Sequence, residues 1–126
     1  MIARAALTGV AAVALAGPVQ AADCRLALVL AMDVSSSVDA AEDQLQRGGL
    51  AAALIAPAVE QAVFSSPLPV AMAVYEWSGR YNQHLLADWR MIDTRADLYE
   101  LAGIIGRPKR NHNDFPTATG YALGLG

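Results

Sequence analysis

The run "LALVLAM", residues 26–32, constrains the fold of this chain more than any other stretch. It shows neither the two-residue alternation of a strand with one wet face nor the 3.6-residue spacing of a surface helix. A strand covered on both faces, as in a parallel sheet, reads this way. The run stops at Asp33, and Ser35, Ser36 and Ser37 follow. A carboxylate and three hydroxyls thus stand at the carboxyl end of an expected buried strand, where open α/β sheets gather their ligands.

Downstream, Asp39 and Glu42 have the spacing of a capping box, which predicts a helix from about Ala40 to Ile55. Leu45, Leu50, Ala52, Ala53 and Leu54 are its expected apolar contacts. Gly48 and Gly49 each lower helix propensity by about 1 kcal/mol relative to alanine, and the pair is expected to allow close packing on the sheet. "APAVEQAVF" adds a short helical piece, and "SSPLP" breaks the chain. "VAMAVYEWS" (Val70–Ser78) reads as a second buried strand, "GRYN" as a turn, and "QHLLADW" as a shorter antiparallel edge strand. In "DTRADLYELAGII", Thr94 and Asp97 cap a helix whose Leu98, Leu101, Ala102 and Ile105 share one face. Gly106 and Pro108 end it. "TATGYALGLG" reads as the start of another helix. A strand–helix–strand crossover implies a right-handed parallel unit in an α/β layered fold.

The first residues stand apart. "MIAR" is a positive start, "AALTGVAAVALAG" an apolar core and "PVQAA" a small-residue cleavage region. This is the pattern of a secretory signal peptide over residues 1–21. The core is short of the roughly 20 residues a spanning helix needs, so export to the periplasm or medium without a stable membrane span is expected. The net charge is −3 and becomes one unit more negative once Arg4 is removed, which gives no footing for nucleic acid. Arg107, Lys109 and Arg110 read as a solvated loop cluster. Cys24 is the sole cysteine, which excludes an internal disulfide. "QAADC" lacks the small apolar approach that lipoprotein processing prefers, leaving Cys24 as a small apolar residue at the start of the first strand.

In "DVSSS", Asp33, Ser35 and Ser37 occupy alternate positions, and a tight loop turns such side chains toward one point. One carboxylate with two hydroxyls is a hard-oxygen set suited to Mg²⁺ or Mn²⁺. A single negative charge leaves a divalent ion electrophilic and open to an outside carboxylate. The same residue types also serve loops and helix caps. His84 and His112 lack partners at ligand spacing, and Trp77 and Trp89 read as core or sheet-face residues. Catalytic readings find less support. A dehalogenase-like phosphatase wants a second aspartate two residues after Asp33, where this chain has Ser35. No Gly-x-Ser-x-Gly elbow, phosphate loop or Gly-x-Gly-x-x-Gly occurs.

Asp-x-Ser-x-Ser after a first strand resembles the metal-ion-dependent adhesion site of the von Willebrand factor type A domain. The resemblance extends to "PTATGYAL", which matches the family's Thr-x-Thr-Gly segment, assigns a metal ligand to Thr117 and makes Thr119 the helix-starting residue of the binding loop. "ALVLAMDVSSSVD", "VAMAVYEWSG", "LLADWRMID" and "TATGYAL" follow the order of an exported bacterial von Willebrand A-like family catalogued as domain of unknown function 1194. The similarity spans nearly all of residues 25–126. It implies a three-layer Rossmann-like fold with a mostly parallel sheet. It also implies a Mg²⁺ or Mn²⁺ ion on Asp33, Ser35, Ser37 and Thr117, and a protein partner donating an Asp or Glu. Asp114 lies near Thr117 but is not required by the pattern.

That family continues into a later strand with a further aspartate, so this chain is expected to be the amino-terminal part of such a domain, truncated at its C-terminus. Truncation predicts an exposed sheet edge, weak or absent metal binding, and instability or association. The function expected is divalent-cation-dependent protein binding. Two alternatives stay open: a Mg²⁺-dependent phosphatase-like hydrolase using Asp33, and a metal-free envelope scaffold.

Overall fold

The computed structural model describes residues 23–107 and 115–124. The expected signal peptide and the expectations for Pro108, Lys109, Arg110, His112 and Asp114 lie outside the described residues. The elements run β1 (Leu26–Asp33), α1 (Ala40–Leu54), α2 (Pro57–Val63), β2 (Val70–Ser78), β3 (Asn82–Ile92), α3 (Arg95–Ile105) and α4 (Thr119–Leu123). The class is α/β. Among the described residues the sheet has three strands in the order β1-β2-β3. β1 pairs with β2 in parallel across the α1–α2 crossover, and β2 pairs with β3 antiparallel. The sheet is therefore mixed, which corrects the expectation of a mostly parallel one. The "GRYN" turn is too short for a crossover, so β3 must return antiparallel.

Both predicted capping boxes form. Asp39 accepts from the amides of Ala41 and Glu42 while Glu42 reaches back to the Asp39 amide. Thr94 and Asp97 do the same at α3. Leu98, Leu101, Ala102 and Ile105 are all buried against the sheet. Alternate strand residues divide the packing between two faces. Met32, Val70, Met72 and Val74 lie with Leu54, Val63 and the α3 residues in the larger core. Tyr75 and Trp77 lie with Val29 and Ala122 of α4 on the opposite face. There a groove of about 320 Å³ runs between Val29, Tyr75, Leu85 and Trp89.

Three packing expectations are overturned. All nine residues of β2 are buried, whereas β1 is only partly covered and Leu26 is 46% exposed. β2 has strands on both sides; β1 has one neighbour among the described residues. Leu45 is 76% exposed, and Ala52 and Ala53 are exposed as well. The inward stripe of α1 is instead Asp43, Arg47, Leu50, Ala51 and Leu54. Gly48 and Gly49 face open space, with nothing within 4 Å of an added Cβ, so they provide no close approach to the sheet. β3 also runs well past "QHLLADW", to Ile92.

Candidate metal centre

The first strand ends where the oxygen cluster begins. The Val34 amide donates to Trp77 O at 2.9 Å, extending the parallel ladder one step past Asp33. The chain then turns: Val38 N donates to Ser35 O at 2.9 Å before Asp39 caps α1. Within the turn, Asp33 Oδ1 accepts the Ser35 amide at 2.8 Å and the Ser35 hydroxyl in a closer contact. Aspartate side chains bond the amide two residues on in this way and fix a turn locally. Ser35 is thereby fully buried, while Ser36 and Ser37 stay exposed.

A distant segment closes on the turn. Phe115 O accepts Ser36 N at 2.8 Å, and Pro116 O accepts Gly79 N at 2.7 Å. These two bonds clasp residues 115–116 between the first loop and the β2–β3 turn. They carry Thr117 to Ser37, where Thr117 Oγ1 and Ser37 Oγ lie 3.3 Å apart across 80 residues of sequence. Thr119 is the first residue of α4 and is exposed. It forms no hydrogen bond with Asp33, Ser35 or Ser37.

One pair of these oxygens, Ser37 Oγ and Thr117 Oγ1, has a spacing that a hard cation accepts. Mg²⁺ holds oxygens at 2.0–2.1 Å in octahedral geometry, which sets neighbouring ligand oxygens about 3 Å apart. The Ser37–Thr117 spacing is close to that. Asp33 Oδ2 accepts no hydrogen bond among the described residues, which leaves a carboxylate oxygen for a ligand. Among the described residues no group of three His, Cys, Asp or Glu gathers anywhere; this set relies on one carboxylate and three hydroxyls. At the same end of β2, the buried Ser78 hydroxyl has no hydrogen-bond partner among the described residues. Buried polar groups of this kind usually find a water or ligand oxygen.

Sequence reasoning missed the supports of the site. Gln46 Nε2 donates to Asp33 O at 2.9 Å, tying α1 to the strand end. The next residue, Arg47, is the hub of a buried ion cluster. Its Nε meets both Asp43 carboxylate oxygens at 3.0–3.1 Å, and its Nη2 meets Glu76 Oε2 at 2.6 Å. Burial alone would lower the Arg47 pKa, but its bonds to Asp43 and Glu76 outweigh that and raise it. Two signals could have revealed the cluster. Asp43 and Arg47 stand four apart on a helix, and Glu76 is a carboxylate inside a strand that otherwise reads as core. His84 is exposed on β3, opposite Glu76 in register.

An α/β domain with an oxygen-rich turn at the carboxyl end of its first strand, clasped by a distant threonine segment, is the class that fold and site define. The chain belongs to the family described as protein of unknown function DUF1194, whose family model matches residues 23–126. Searches among curated proteins and among solved structures find no match to the chain. Among the described residues no helix is long and apolar enough to cross a membrane.

Proposed function

We propose that this protein is an exported binding domain of the von Willebrand A type, in which Asp33, Ser35, Ser37 and Thr117 hold Mg²⁺ or Mn²⁺. A protein partner completes the shell with an Asp or Glu. The observation that carries the reading is the meeting of Ser37 and Thr117 at 3.3 Å from opposite ends of the described chain. Capping alone does not require it, because Asp39 already caps α1, and α4 begins without a side-chain cap. Asp33 supplies the one negative charge, the hydroxyls supply neutral oxygens, and the hydrogen bonds from the Ser35 amide and hydroxyl orient the carboxylate. The ion, when bound, supplies the uncompensated positive charge that draws a carboxylate. The leader-like residues 1–21 favour a periplasmic or secreted setting.

Calorimetric titration of Mg²⁺ into the wild-type chain and into Asp33→Ala tests this. Removing an outer partner of a metal site costs about 10–100-fold in affinity, and loss of the sole carboxylate is expected to cost at least that. Equal affinity in the two proteins would refute the proposal.

A further inference from the structure

Beside the candidate metal centre, the β2–β3 turn presents a cation with no carboxylate partner among the described residues. Arg25 donates to the carbonyls of Ala62 and Val63. Arg47, Arg90 and Arg95 each pair with an acidic side chain. Arg80 does neither. Its guanidinium carbon lies 4.6 Å from the ring centre of Tyr121 and 5.9 Å from that of Tyr81. The two rings stand 6.4 Å apart at 55°. Stacking on ring faces holds a guanidinium in place and leaves its edge N–H groups for a planar anion, which arginine grips in a bidentate fork. Arg80 is exposed, Tyr81 is 80% exposed, and Tyr121 and Phe115 are exposed too. Tyrosine and arginine, with tryptophan, are enriched among the side chains that dominate binding energy at interfaces.

The place of this patch is fixed relative to the oxygen cluster. Gly79, next to Arg80, bonds Pro116, which precedes Thr117. Tyr121 stands on α4, just past the same threonine segment. The arginine and the hydroxyl pair therefore share one rim of the sheet.

We infer that Arg80, held by Tyr81 and Tyr121, is a second carboxylate subsite, and that the partner is an acidic protein segment presenting two carboxylates, one to Arg80 and one to the cation. The second half of this statement rests on the cation reading above; the Arg80 subsite does not. Because Arg80 has no acidic partner among the described residues, an incoming carboxylate breaks no ion pair between described residues.

The test is an NMR titration of the full chain with hexaglutamate, with and without Mg²⁺, following the Arg80 Nε–H resonance and the Tyr81 and Tyr121 ring signals. Hexaglutamate is expected to shift these signals in both conditions and to bind more tightly with Mg²⁺. Arg80→Ala is expected to weaken binding about tenfold or more while leaving Mg²⁺ affinity unchanged. Arg80→Lys, which keeps the charge but loses the fork, is expected to fall between. Asp33→Ala is expected to remove only the Mg²⁺-dependent gain. If Arg80→Ala and wild type bind hexaglutamate alike, or if hexaglutamate leaves the Arg80 signal unmoved, the subsite is refuted even where Mg²⁺ binding is intact. If Mg²⁺ fails to bind while Arg80 still responds, the cation reading falls and the subsite stands. Equal shifts with inorganic phosphate at matched charge would overturn the preference for an acidic segment.

Discussion

Gly79 is where one backbone atom pair governs the site. Its φ of +63° lies in the left-handed region, and a Cβ there would sit 2.8 Å from Phe115 Cβ. Both facts demand glycine. Its amide also anchors Pro116, one residue before Thr117. Gly79→Ala is expected to destabilise the fold by about 1–2 kcal/mol from the backbone alone, read as a lower urea midpoint, and to weaken Mg²⁺ binding by displacing Thr117. An unchanged midpoint would contradict the role. At this scale the sequence is most readable where partners are close in the chain. Asp39 with Glu42 and Thr94 with Asp97 were legible because a capping box lies within one helical turn. The Asp33–Ser35 contact has the same local logic. Thr117 was legible only through family resemblance, since nothing near it in sequence says that it meets Ser37.

Among the elements, α1 is the instructive case. Its start was legible, but its buried face was not. Apolar residues alone were assigned to that face, so Leu45 was placed inward and Arg47 was not considered; in the fold Leu45 is exposed and Arg47 is buried. Arg47 is admitted to the interior because Asp43 and Glu76 meet its charge, joining α1 to β2 just below the oxygen cluster. Breaking such a cluster from one side leaves unpaired buried charge and costs about 3–5 kcal/mol, whereas replacing all its members with apolar residues is often neutral or stabilising. Arg47→Met is therefore expected to lower stability by about that amount in urea denaturation, and the triple change Asp43→Leu, Arg47→Met, Glu76→Leu to recover most of it. A single variant as stable as wild type would show that the cluster does not fasten α1. β2 was read correctly as buried, although Glu76 within it should have signalled a cation on the facing helix.

Across the whole molecule, the alternation of strand and helix identified the α/β class, and the strand after the short "GRYN" turn was read as antiparallel, as it is. The mostly parallel sheet came from the family resemblance and is the part the described strands correct. Apolar runs could not separate central from edge strands: β1 and β2 read alike, yet β2 is enclosed and β1 is partly open. What unites the two ends of the described chain is the rim where β1, the β2–β3 turn and α4 converge. The central claim is that this rim gathers Asp33, Ser35, Ser37 and Thr117 around one cation. The most direct measurement is anomalous scattering from crystals of the protein grown with Mn²⁺. A single strong peak within bonding distance of Asp33 Oδ2, Ser35 Oγ, Ser37 Oγ and Thr117 Oγ1 is predicted; a peak elsewhere, or no peak on this rim at saturating Mn²⁺, would contradict it.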